Sequence, residues 1–142
     1  MAGDPLDVLL QVRRLAVDGA RGSLADCLAA ESTAADQVHA IEAEIATETT
    51  AATALTADDA VVEAFARWLQ RMLPRQRAAT DALLSAEIRT KEARAVLAAA
   101  RAGVRAIELM LERRAEERLA EESRREQAAL DEVAQRAGPV PP

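Results

Sequence analysis

The stretch Leu97-Ala98-Ala99-Ala100-Arg101-Ala102-Gly103-Val104-Arg105-Ala106-Ile107-Glu108-Leu109-Met110-Leu111 decides the fold. Leu97, Val104 and Leu111 recur every seven residues, and Ala100 and Ile107 form a companion row. A strict heptad keeps one narrow seam turned toward a partner helix over many turns. Followed upstream, the first row continues through (Thr90), Leu83, (Gln76), Leu69 and Val62, and the second through Ala93, Ala86, Ala79, Met72 and Phe65. An earlier pair of ladders runs Leu10, Val17, Leu24, (Glu31), Val38, Ile45, Ala52 beside Leu6, Ala20, Cys27, Ala34, Ile41 and Leu55. Two such ladders in one chain satisfy each other by folding back, although an intermolecular dimer of extended chains meets the same requirement.

The expected fold is therefore all-α, a long antiparallel two-helix coiled-coil hairpin over residues 1–142. Asp4-Pro5 opens helix one, with an N-cap acceptor followed by proline where its missing N–H costs nothing. Helix one is expected over 5–55. The β-branched run Thr47-Glu48-Thr49-Thr50 weakens its end, and a turn at 56–59 precedes a new N-cap at Asp58 or Asp59. Helix two is expected over 60–137. Pro74 falls on an outward position, so a kink there is the leading reading, with a separate short helix 59–73 as the alternative. Gly138-Pro139 closes the helix and leaves a disordered tail at 138–142.

Composition supports a rod and argues against a thick core. Of 142 residues 35 are alanine, and the aromatics are Phe65 and Trp68 alone. Alanine favours helix while burying little surface. Charges of both signs are interleaved at a net −6, which leaves no basic footprint for nucleic acid. No apolar run suits membrane insertion, and Met1-Ala2-Gly3-Asp4-Pro5 lacks a basic leader. The lone Cys27 fits a reducing compartment and a small hydrophobic role in the seam. With one histidine, one cysteine and no tyrosine, and with Lys91 far from any glycine-rich loop, no catalytic, metal or cofactor site is expected. His39 reads as a solvated helix residue.

The arms are unequal. Pairing from the turn sets Leu6 opposite about Leu109, so Glu112–Ala137 is expected to overhang helix one by roughly 39 Å. The heptad breaks at the same point, since Leu111, Ala115 and Leu119 are spaced four and four. The composition turns to Glu112-Arg113-Arg114-Ala115-Glu116-Glu117-Arg118, with charge expected on every face and pairs such as Glu121 with Arg125 supporting a helix without a partner.

Both ends of the chain resemble the FliJ family of flagellar export proteins. The opening Leu6-Asp7-Val8-Leu9-Leu10…Ala16-Val17-Asp18-Gly19-Ala20-Arg21 is similar to the family's first helix. Leu111-Glu112-Arg113-Arg114 and Arg124-Arg125-Glu126-Gln127-Ala128-Ala129-Leu130-Asp131-Glu132-Val133-Ala134-Gln135-Arg136-Ala137 are similar to its most characteristic segment. The resemblance implies a coiled coil like the central stalk of rotary ATPases. Its paired terminal end enters the hexameric export ATPase, and its flank meets the membrane export gate and export chaperones. It performs no chemistry, and it lies in the cytoplasm, peripheral to the inner membrane at the flagellar base. An injectisome stalk, or a generic scaffold or export chaperone, are the alternative readings.

Carried over by position, the implied ATPase contacts are Arg113, Arg114, Arg124, Arg125, Glu126, Asp131, Glu132 and Arg136. The implied gate contacts are Gln37, Ile41, Phe65, Leu69, Met72 and Gln76. Trp68 joins them on its own reading, as a large aromatic beside the seam. Proline at 74 and the acidic Glu44 and Glu48 depart from the family pattern on the gate side.

Overall fold

The computed structural model describes residues 3–139 and 141–142. They form an all-α helical hairpin of two helices, α1 (Pro5–Ala52) and α2 (Asp59–Ala137). The expected disordered tail at 138–142 lies partly outside the described residues. The contacts divide the chain into two compact units, residues 1–15 with 100–142, and residues 16–99.

Each helix begins where its sequence supplies an acceptor. The Leu6 N–H donates to Asp4 Oδ1 at 3.0 Å, and the Val61 N–H donates to Asp58 Oδ1 at 2.9 Å. These side chains satisfy backbone donors that a helix start leaves unpaired. At the far end Gly138 adopts φ 65° and its N–H reaches the Gln135 carbonyl, the left-handed cap that glycine accepts without strain.

Helix α1 stops at Ala52, three residues before the expected end. The hydroxyls of Thr47, Thr49, Thr50 and Thr53 donate to the carbonyls of Ala43, Ile45, Ala46 and Thr49, four residues back. Such back-bonding weakens a helix as it accumulates. Leu55, read as a seam residue, consequently sits outside the helix at 107 % exposure. The turn is longer than expected, from Thr53 to Asp58, and Val62 on the first turn of α2 is exposed as well. Beyond these two positions the ladders hold.

In the unit of residues 16–99, Val17, Ala20, Val38 and Ala52 of α1 are buried, as are Met72, Ala79, Ala86 and Leu97 of α2. Thr90 occupies its ladder position buried, its hydroxyl donating to the Ala86 carbonyl at 3.1 Å, so the seam hides no unpaired polar group there. Pro74 is exposed, and α2 runs through it unbroken, which removes the separate helix 59–73. In the unit of residues 1–15 and 100–142, Leu6, Leu10 and Ile107 form the core, with Val104 and Leu111 packed against it.

Gly19 and Gly22 lie inside α1, and a Cβ built on either meets nothing within 4 Å. Neither position needs positive φ. Glycine mid-helix costs roughly 0.5–1 kcal/mol relative to alanine. Gly19→Ala and Gly22→Ala are each expected to stabilise the chain by about that amount, read as a raised midpoint in thermal melts followed by circular dichroism.

Candidate functional site

Within the unit of residues 1–15 and 100–142, every position from Glu112 to Ala137 is exposed. Leu111 is the last residue of α2 packed against the first helix, so the uncovered segment begins where the heptad breaks. At its root the Arg114 guanidinium grips Asp4, with Nη1 at 2.7 and 2.8 Å from the two carboxylate oxygens. Arg14 lies 3.8 Å from Glu108, and Arg105 bridges Glu108 and Glu112 at 3.5 and 3.3 Å. Arg13, at a seam position, lays its aliphatic stem against Gly103.

The residues carried over as ATPase contacts separate into those engaged within the chain and those left free. Arg114 is committed to Asp4. Arg125 pairs with Glu121 at 2.8 Å, Arg136 with Glu132 at 2.7 Å, and Asp131 accepts from Gln127 at 3.0 Å. Arg113, Arg124 and Glu126 are exposed and have no ion pair among the described residues. Exposed pairs of this kind contribute ~0–1 kcal/mol each. They stiffen the helix locally and remain exchangeable.

The uncovered segment is not charged on every face. Leu119, Leu130 and Val133 are 66 %, 64 % and 64 % exposed, and Glu126, Ala129, Leu130 and Val133 line a shallow groove of about 410 Å³. Charge counting along the chain hid this stripe; its spacing of eleven and three, both near whole numbers of helical turns, was the signal for it. A second unpartnered set, Val8, Val12 and Leu15 on α1, was hidden beside the stronger ladder of Leu6, Leu10 and Val17.

The residues carried over as gate contacts lie in the other unit. Gln37 is exposed, and Ile41, Leu69 and Gln76 are half-buried. Gln37, Ala40, Ile41, Glu44, Arg75, Ala78, Ala79 and Ala82 line an open trough of about 560 Å³, wide because both helices present alanine there. Phe65 and Trp68 stack at 5.9 Å between ring centroids with 30° between planes. Both remain half-exposed and, with Glu48, Ala51, Ala52, Val61 and Ala64, border a groove of about 320 Å³. Met72 differs from the rest: at 3 % exposure it is a seam residue, with Arg75 Nη1 3.8 Å from its sulfur. Cys27 is half-buried in the seam, and the exposed His39 lies 4.0 Å from Glu42. No helix among the described residues is long and apolar enough to cross a membrane.

Compared with known proteins, the chain matches the family model described as the flagellar FliJ protein over residues 1–138. No curated protein and no solved structure matches it.

The Asp4 carboxyl is held below the usual aspartate range, chiefly by the Leu6 N–H and then by the Arg114 guanidinium. A depressed folded-state pKa stabilises fully above the unfolded value of about 3.9 and is lost as pH falls through it toward the folded value. Asp4→Asn keeps a capping side chain but removes this dependence. Its stability curve is expected to be flatter than the parent's below about pH 5, measured by urea unfolding at stepped pH.

Proposed function

The chain belongs to the flagellar FliJ family, and from that premise we propose that it is the stalk of the flagellar export ATPase. Family membership makes it a flagellar export-associated protein, one of a family of export components and not of enzymes. In the proposed role the unit of residues 1–15 and 100–142 enters the hexameric ATPase ring. The unit of residues 16–99 meets the membrane export gate, and export chaperones are further partners on that side. The protein then works in the cytoplasm, peripheral to the inner membrane at the flagellar base.

The observation that carries this reading is the helix from Glu112 to Ala137, exposed at every position yet braced by its own ion pairs. A helix that has left its partner and still holds its shape can be inserted into another protein without first being ordered, which lowers the entropic cost of association. Arg113 and Arg124 offer free guanidinium groups, and the pairs at Arg125, Glu132 and Arg136 can exchange a neighbour for a ring residue at small cost. Weak, exchangeable contacts suit a shaft that must not lock into one site.

On the gate side the Phe65–Trp68 stack supplies an amphipathic aromatic anchor of the type enriched at binding hot spots. Gln37, Ile41, Leu69 and Gln76 complete that surface in the proposal, with Met72 as the buried support beneath it.

Titration into the organism's export ATPase tests the ring assignment, with hexamer formation and phosphate release read together. The parent is expected to raise both, and Arg124→Glu with Arg125→Glu to lose most of the effect while keeping parental helix content. Unchanged stimulation by that variant overturns the assignment. Trp68→Ala is expected to weaken binding to the isolated cytoplasmic part of the gate by about tenfold or more. Its thermal midpoint should stay near the parent's, because Trp68 lies beside the seam.

A further inference from the structure

The ion pairs that join α1 to α2 among the described residues, Asp4 with Arg114 and Arg14 with Glu108, both lie in the unit of residues 1–15 and 100–142. In the unit of residues 16–99 the helices meet through apolar layers and Thr90, whose hydroxyl is spent within α2. Moving one heptad ladder past another by seven residues returns every ladder residue to a ladder position, so such layers distinguish one register from the next only weakly. The turn permits that move in one direction. Ala52 at the end of α1 borders a groove with Val61, Ala64, Phe65 and Trp68, so α2 starts beyond the end of α1 and the residues from Thr53 to Asp58 make up the offset. Drawing α1 seven residues toward the turn levels the two helix ends and slackens this loop. The opposite slide stretches it.

We propose that Asp4, Arg13 and Arg14, with their partners on α2, form a register clamp that holds α1 against a seven-residue slide toward the turn. Positions seven apart share one face of a coiled coil, so the slide replaces each partner by the residue seven places before it on α2. Arg14 would leave Glu108 and face Arg101, a like charge. Asp4 would leave Arg114, whose Nη1 holds both its carboxylate oxygens, and face Ile107. Arg13 would lose the open floor of Gly103 and meet Val96. A Cβ at position 103 already comes within 3.6 Å of Arg13 Cδ, and valine adds two methyls beyond it. The apolar contacts object less sharply, since Leu6 and Leu10 would trade Ile107 and Leu111 for Ala100 and Val104. A slide away from the turn needs no clamp. It would bring Arg114 and Arg118 to the places of Ile107 and Leu111 and set Asp4 against Glu121.

After a slide toward the turn the uncovered part of α2 would begin seven residues earlier, which adds about 10 Å to the helix that stands free. The clamp therefore fixes the reach of that helix. It does so whatever partner receives the helix, and the inference does not depend on the ring reading.

Electron spin distance measurements on the full chain test the proposal, with labels at Gln11→Cys and Ala120→Cys in a Cys27→Ala background. The slide lengthens this distance by about 10 Å. The background chain is expected to give the shorter distance alone. Asp4→Asn with Arg14→Glu breaks both ion pairs and offers Arg101 an opposite charge, and is expected to move at least a tenth of the population to the longer distance. Adding Glu108→Arg is expected to remove that longer component, because an opposite charge again faces position 14 in the parental register. If the Arg14→Glu protein loses helix content, Asp4→Asn with Arg14→Gln decides, and it too is expected to show the longer component. A background chain that already gives both distances overturns the proposal. So does the parental distance alone in the pair-breaking variants, or a longer component that Glu108→Arg leaves in place.

Discussion

Everything in this chain depends on a seam in which alanines are interleaved with larger aliphatic residues. Ala20, Ala52, Ala79 and Ala86 are buried where a thicker coiled coil would place leucine, and the larger side chains Leu10, Val38, Met72 and Leu97 are spaced out among them. Alanine layers allow the backbones to approach but contribute little burial each, since the hydrophobic gain scales with the area covered. Stability then accrues by repetition along the helices and not from any single cluster. Among the described residues no side chain is less than 2 % exposed. A seam of this kind tolerates a threonine at position 90 because its hydroxyl is satisfied within its own helix.

The ladders were legible because a period of seven is a strong signal over so many repeats, and the burial of Leu6, Leu10, Val17 and Val38 follows it directly. The ends of the ladders were not. Leu55 and Val62 fit the arithmetic, but the threonines before the turn end α1 at Ala52, and a ladder position outside a helix has no seam to face. Pro74 left two readings open in the sequence. Its exposed position lets α2 continue through it.

The candidate surfaces were legible only in part, for a related reason. Residue type pointed to the charged terminal segment and to Phe65 and Trp68. It did not reveal that Arg114 is already bound to Asp4 across 110 positions of sequence, because no local pattern encodes such a pair. Nor did it separate Met72, turned into the seam, from Leu69, which is half-exposed one turn away. The stripe of Leu119, Leu130 and Val133 was outnumbered by its charged neighbours, and it emerges only when positions are placed around the helix.

The threonines that shorten α1 have an effect on its surface as well. A threonine whose hydroxyl is given to a carbonyl of its own helix has no donor left for water or a visitor, and what it shows outward is its methyl group. Thr47, Thr49, Thr50 and Thr53 are all in this condition, interleaved with Glu48, Ala51 and Ala52, which border the groove of Phe65 and Trp68. A segment that composition would score as hydrophilic thus offers fewer donors and more methyl surface than the letters of the sequence suggest.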